Sequence, residues 1–169
     1  MDSRKVIKFA NLKIEIVQAP GAAHYIIAGD VDENFRQKEI PRLRTPELHL
    51  HLKDVGNFNS VGIREWIQLI ADLSQHSKLS FHECSVSSID QINMVPHSLG
   101  GGTVESFYAP YYCECGQETV KLINVHDHEQ ELRRNEAPHF LCEHCGKSLE
   151  FDALEETYFQ FLTSLPKAG

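Results

Sequence analysis

The chain has 169 residues, of which 41% are hydrophobic and 24% are charged, and its formal net charge is −8. This composition is typical of a folded globular protein with one domain and room for a small second one. No segment approaches the roughly 18 consecutive apolar residues of a transmembrane helix. Residues 1–17 lack the apolar region of a secretory signal, so we expect a soluble, cytoplasmic protein.

The negative charge is concentrated toward the C-terminus. Residues 1–105 contain 11 Lys and Arg against 13 Asp and Glu, whereas residues 106–169 contain 5 against 11. An acidic surface repels phosphate groups and anionic lipids alike. The charge distribution therefore argues against nucleic acid and against a membrane as the partner.

Hydrophobic periodicity predicts a mixed α/β domain in the first part of the chain. Segment 32–46 contains Pro41 and Pro46, which leave room only for a short helix. Because a helix is expected between the third and fourth strands, these two strands should be parallel. Strands are predicted at 12–18, 24–31, 47–55 and 78–84, and helices at 61–75 and 85–96.

The third predicted strand alternates strictly between leucine and histidine. Leu48, Leu50 and Leu52 face one way, and His49 and His51 face the other. Two histidines on one strand can bind a metal, but the neighbouring sequence offers no third ligand. We therefore expect the histidine face to lie beneath a helix.

The glycines at 100–102 are expected to end a first domain, 1–102, and to allow a hinge before a second, 103–169. Strands are predicted at 103–112, 118–125 and 148–152, with a charged loop at 127–136. Residues 153–165 predict a terminal helix that has five residues roughly on one face: Leu154, Tyr158, Phe161, Leu162 and Leu165.

Four of the five cysteines form two close pairs, Cys113 with Cys115 and Cys142 with Cys145, and a glycine follows each pair. In a protein without a secretion signal, such pairs favour a metal site over disulfide bonds. Four thiolates suit one zinc ion, and the pattern resembles the two knuckles of a zinc ribbon. Only one residue separates Cys113 from Cys115, which departs from the usual ribbon spacing.

Histidines offer alternative ligands near these pairs, so a site with one histidine in place of a cysteine stays open. Four thiolate ligands would leave no coordination position for water or substrate, and we expect the zinc to be structural. It would supply folding energy to a part of the chain with a thin core. The candidate histidines are His126, His128, His139 and His144.

The stretch Asn59-Ser60-Val61-Gly62 opens the helix predicted at 61–75. Ser60 is expected to cap this helix, and Asn59 can do the same. A serine at a helix N-terminus is also well placed to carry a phosphate, because free N–H groups and the helix dipole favour negative charge there. Ser60 is therefore a candidate cap and a candidate switch.

The order of elements over residues 10–100, together with this motif, resembles a STAS domain, the anti-sigma-factor-antagonist fold. The family motif reads Asp-Ser-Ser/Thr-Gly, and a partner kinase phosphorylates its first serine. Ser60 and Gly62 match the serine and the glycine, whereas Asn59 replaces the aspartate and Val61 replaces the second hydroxyl residue. The whole layout also resembles bacterial proteins with an NS-x-G-x-REW stretch, a family label that implies no activity.

The resemblance implies a non-enzymatic regulatory protein in bacterial signalling, with a protein partner such as a regulatory serine kinase or an anti-sigma-like protein. No P-loop, dinucleotide fingerprint, G-x-S-x-G or HExxH motif is present, so we do not expect an enzyme. The surface expected to dock the partner or to act as the phospho-switch comprises Asp32, Glu33, Asn57, Asn59, Ser60, Gly62 and Arg64.

Two other functions stay open at this stage. In the first, the ribbon and the aromatic strand at 103–112 form a structural homodimer, and Ser60 is only a cap. In the second, the ribbon binds nucleic acid, although its acidic surroundings make this the weaker alternative.

Overall fold

The fold is given by a computed structural model that describes residues 3–164. The strands are β1 Ser3–Lys8, β2 Leu12–Ala19, β3 Ala22–Val31, β4 Glu47–Phe58, β5 Lys78–His82, β6 Thr103–Val104, β7 Ser106–Tyr112, β8 Glu118–Asn124 and β9 Glu150–Phe151. The α-helices are α1 Ser60–Ser74, α2 Val86–Met94, α3 Glu129–Arg133 and α4 Glu155–Tyr158. Short 3-10 turns cover Gln37–Glu39, Pro96–Leu99 and Phe159–Ser164.

A mixed six-stranded sheet forms the larger part of the protein, with the strands in the order β1-β2-β3-β4-β5-β6. The first three strands pair antiparallel, and β3 to β6 pair parallel. The parallel pairing predicted across α1 is confirmed, with Leu50 of β4 opposite Phe81 of β5. The protein is therefore mixed α/β, as predicted.

Strand β1 is the main element that the sequence pattern does not predict. It lies at the edge of the sheet and, among the described residues, pairs only with β2. Five of its six residues are exposed, and Val6 is one of them. An edge strand of this kind lacks the apolar alternation that marks a half-buried strand.

The core lies between one face of the sheet and the helices α1 and α2. Trp66 of α1 is 2% exposed, and its indole Nε1–H donates to the carbonyl oxygen of Ser98 at 3.1 Å. Trp66 and the α2 residue Ile92 line one small cavity together with Leu52 and Phe81 of the sheet. The leucine side of β4 is thus the core side.

The opposite face of the sheet remains partly open to solvent. His49 and His51 are partly exposed there, and Ile26 on the neighbouring strand is 39% exposed. The expectation that a helix covers this face is wrong, because α1 and α2 both pack against the leucine face.

A second, three-stranded antiparallel sheet has the order β8-β7-β9. It joins the first sheet through a parallel bridge between Cys84 and Phe107. The Asn93 side chain of α2 donates to the carbonyl oxygen of Tyr158 at 2.9 Å and accepts from the backbone N–H of Phe161 at 2.9 Å. A side chain before the Gly100–Gly102 segment is therefore hydrogen-bonded directly to the backbone after it.

The last described residues differ from the predicted long helix. The α-helix ends at Tyr158 and a 3-10 turn follows, so that Phe159 and Leu162, three residues apart, are both buried. Leu165 lies outside the described residues.

The predicted charged loop at 127–136 contains the short helix α3, which buries Leu132. Within residues 3–164, no helix has the length and apolarity needed to cross a membrane.

Candidate functional site

The four cysteines of the two predicted pairs meet in one cluster, and all four Sγ atoms lie within 4.8 Å of one another. The Sγ atoms of Cys113 and Cys145 are 3.4 Å apart, and those of Cys115 and Cys142 are 3.8 Å apart. These separations are too long for a disulfide bond of about 2.05 Å. The cluster is therefore positioned to bind a metal ion.

Each cysteine pair lies in a tight turn closed by a backbone hydrogen bond. In the first turn the N–H of Gly116 donates to the carbonyl oxygen of Cys113 at 2.9 Å, and in the second Gly146 donates to Cys142 at 2.8 Å. The two glycines have φ of +94° and +78°, a region that side chains disfavour. The shorter spacing of the first pair thus closes an i to i+3 turn instead of an i to i+4 turn, and both turns still deliver two sulfurs to the cluster.

The thiols of the cluster differ in pKa. Backbone N–H groups, first that of Cys145 and then that of His144, lower the pKa of Cys142 to about 7. The N–H of Cys115 acts in the same direction on Cys113, but burial and the neighbouring thiols outweigh it and raise the pKa of Cys113 to about 12. A cation is needed before all four sulfurs can be thiolates together.

The histidines proposed as alternative ligands lie outside this cluster. Within residues 3–164, the only group of three or more His, Cys, Asp or Glu that meets at ligand distance is the four cysteines. The His139 Nε2 atom lies 2.9 Å from the Ser148 hydroxyl, and His144 is exposed although it lies between two ligands in sequence.

At the other candidate site, Asn59 and not Ser60 caps α1. The Asn59 Oδ1 atom accepts from the N–H of Gly62 at 2.8 Å, while Ser60 is the first residue of the helix. The prediction that Ser60 is the cap is wrong, and the alternative residue takes the role. The Ser60 side chain is exposed and forms no hydrogen bond within the described residues.

The loop after β3 lies beside this cap, because the parallel strands β3 and β4 end at the same edge of the sheet. Asn59 donates from Nδ2 to the Glu33 carboxylate at 2.6 Å, and its N–H donates to the carbonyl oxygen of Val31 at 3.2 Å. Asp32 accepts from the Asn11 amide at 2.7 Å, a bond that lowers the Asp32 pKa. The acidic loop and the helix start are thus held together.

Gly62 allows the helix to approach this loop. A Cβ atom at position 62 would lie 1.9 Å from the carbonyl oxygen of Val31 and 2.7 Å from the backbone nitrogen of Asp32. Because both neighbours are backbone atoms, neither can move aside as a flexible side chain would. The glycine of the motif is therefore required by the contact between α1 and the end of β3.

The remaining residues predicted for this surface are exposed around Ser60. Asn57 is held by a bond from its N–H to the Asp30 carboxylate at 2.9 Å, and Arg64 forms no ion pair within residues 3–164. Val61, which the sequence analysis did not include, is 48% exposed beside Ser60. We call the group Asp32, Glu33, Asn57, Asn59, Ser60, Val61 and Arg64 the Ser60 surface.

No family model, curated protein or solved structure matches this chain. What these two sites can do chemically therefore follows from their own residues.

The structure also shows a cluster that sequence patterns miss. His24 of β3 and His82 of β5 join His49 and His51 on the open face of the sheet, and we call these four the histidine quartet. Burial, followed by the nearby charge of His82, lowers the pKa of His51 to about 4. The alternation in β4 shows only that His49 and His51 share a face. That His24 and His82 lie beside them depends on the register between the strands.

The division of roles between Asn59 and Ser60 predicts different effects on stability. Asn59→Ala removes the cap of α1 and is expected to lower the free energy of unfolding by about 1 kcal/mol. Ser60→Ala removes an exposed hydroxyl with no partner and should change it by less than about 0.5 kcal/mol. Urea unfolding of both variants measures the difference, and equal losses would contradict the assignment of the cap.

Proposed function

We propose that this protein is a non-enzymatic, STAS-like regulator that binds a protein partner through the Ser60 surface, with one structural zinc ion supporting a ribbon-like C-terminal part. The observation that carries the proposal is the free, exposed hydroxyl of Ser60 beside a neighbour that already caps the helix. A residue that the fold does not need is available for recognition or modification.

The geometry of the cysteine cluster supports a closed zinc site. A tetrahedron with Zn–S bonds of about 2.3 Å has sulfurs about 3.8 Å apart, close to the 3.4 and 3.8 Å found here. Soft thiolate ligands favour zinc over magnesium or calcium. With four protein ligands the ion has no open position, so its contribution is to folding and not to chemistry.

The Ser60 surface has the character of a rigid recognition site. Backbone and side-chain hydrogen bonds fix the Asn59 cap and the acidic loop, while Ser60, Val61 and Arg64 remain exposed. Arg64 follows Ser60 by four residues and lies on the same side of the helix. A phosphate on Ser60 would add negative charge beside Glu33 and within reach of Arg64, which changes what the surface can bind.

The partner that the STAS resemblance implies is a regulatory serine kinase or an anti-sigma-like protein. The homodimer alternative has less support, because the aromatic strand β7 lies between β8 and β9 and buries Phe107 and Tyr111 within the chain. The nucleic-acid alternative has less support as well, because residues 106–169 carry a net charge of −6.

The proposal predicts that a partner contacts the Ser60 surface and is sensitive to charge at residue 60. A photo-crosslinking amino acid at position 61, expressed in the protein's own cells, should yield one discrete adduct. The same amino acid at position 120 of β8, where Val120 is 51% exposed and so matches Val61 at 48%, serves as the control and should not. Ser60→Asp should reduce the adduct at position 61 at least tenfold, and Ser60→Ala should retain it.

Two results would contradict the proposal. One is the same set of adducts from positions 61 and 120, which would mean that no partner distinguishes the Ser60 surface. The other is an adduct of undiminished yield in Ser60→Asp, which would remove residue 60 from the interface.

A further inference from the structure

The histidine quartet lies on the open face of the sheet, away from both the cysteine cluster and the core. Within the quartet, His24 pairs in register with His49, and His51 pairs in register with His82. Neighbouring rings have their centroids between 4.8 and 5.3 Å apart. Three parallel strands thus bring four imidazoles into one compact group that is partly accessible to solvent.

Two diagonal contacts within the quartet bring ring nitrogens together. The Nδ1 atom of His24 lies 3.0 Å from Nε2 of His51, and Nδ1 of His49 lies 3.0 Å from Nε2 of His82. Two nitrogens bound about 2.0–2.1 Å from one ion and at right angles to each other are about 3 Å apart. Each diagonal pair is an imidazole–imidazole hydrogen bond whose two nitrogens are spaced as neighbouring ligands on a square-planar or octahedral ion would be, and a bound ion would take the place of the shared proton.

We propose that the histidine quartet is a second metal site, in which each diagonal pair binds one divalent transition-metal ion of tetragonal or octahedral preference, such as Ni²⁺ or Cu²⁺. The ligand type favours these ions, because imidazole nitrogens bind nickel and copper well and hard ions poorly. The 3.0 Å spacing is compatible with two ligands at about a right angle on one ion.

The arrangement limits each ion to two protein ligands. Within residues 3–164 the four cysteines are the only group of three or more His, Cys, Asp or Glu side chains placed to hold one ion, so the quartet offers each ion two rings at a time. Because the rings are partly exposed, water can occupy the remaining coordination positions. The Glu47 carboxylate, 3.7 Å from Nε2 of His49, adds negative charge beside one pair. The quartet thus differs from the closed cysteine cluster in ligand type, number and access.

The test is calorimetric titration of the zinc-loaded, full-length protein with NiCl₂, with the zinc content measured before and after. The wild type should bind two Ni²⁺ ions without releasing zinc. His51→Gln removes one ligand from one pair and should reduce the stoichiometry to one. His51→Gln/His82→Gln removes a ligand from each pair and should weaken Ni²⁺ binding at least tenfold at both sites.

A matched double variant, His76→Gln/His97→Gln, changes two exposed histidines outside the quartet and should bind as the wild type does. Circular dichroism of all variants checks that each remains folded. The proposal is overturned if the wild type does not bind Ni²⁺, if the quartet and control variants bind equally, or if zinc is released in proportion to the nickel bound, which would assign binding to the cysteines.

Discussion

Cys142→Ser is expected to abolish zinc binding and to unfold the part of the chain that surrounds the cysteine cluster. Between Asn124 and Glu150 the described structure contains one short helix, α3, and one isolated β-bridge, Leu141 with Ser148, and most of the backbone hydrogen bonds there close local turns. Structural zinc sites contribute about 10–16 kcal/mol in small domains, which is comparable to the whole stability of a typical domain of about 5–15 kcal/mol. Losing the ion therefore outweighs the remaining contacts there.

Metal analysis, which gives the zinc content, and amide hydrogen exchange, which reports local unfolding, test this prediction. The variant should contain no zinc, and exchange in β8 and β9 should become fast while the centre of the large sheet stays protected. Cys84→Ala is the matched control, because Cys84 is a buried cysteine outside the cluster and its loss should leave the zinc content at one ion per chain. A Cys142→Ser protein with a full complement of zinc would show that the cluster is not the metal site.

Gly62→Ala is expected to lower the free energy of unfolding by about 2–3 kcal/mol, although alanine is normally the better helix former by about 1 kcal/mol. The added Cβ would lie 1.9 Å from the carbonyl oxygen of Val31, so the start of α1 must move away from the end of β3. The movement breaks the hydrogen bond from the Asn59 N–H to that same carbonyl. The steric cost therefore exceeds the gain in helix propensity.

Urea unfolding measures the size and sign of this effect. Val61→Ala is the matched control at the neighbouring helix position, since the Val61 side chain is 48% exposed and its loss should change stability by less than about 0.5 kcal/mol. A Gly62→Ala variant as stable as the wild type, or more stable, would mean that α1 does not approach the end of β3 as closely as described.

Elements with strong periodicity are the ones that the sequence predicts well. The strands β2 to β5 and the helices α1 and α2 bury one face against a common core, and that burial leaves a regular pattern of apolar residues. The edge strand β1 and the charged helix α3 bury few side chains, and their patterns are correspondingly weak. Local pattern thus predicts an element to the extent that the element contributes to the core.

The candidate sites show a second limit of prediction from sequence, which is set by where elements begin and by how neighbouring strands align. The sequence indicates that Ser60 or Asn59 caps α1, but both residue types are good caps, and the choice depends on where β4 ends and the helix begins. The four cysteines are evident from their spacing alone. The histidine quartet is not, because it depends on how three strands align and on which face of the sheet the helices leave open.

If the Ser60 surface binds a partner while the zinc serves only the fold, a negative charge at residue 60 should release the partner and leave the ion bound. Native mass spectrometry of wild-type and Ser60→Asp protein, each recovered from the protein's own cells, tests it most directly. We expect one zinc ion per chain in both proteins, a complex with a second protein in the wild type, and loss of that complex in Ser60→Asp. The same complex in both proteins, or no complex in the wild type, would contradict it.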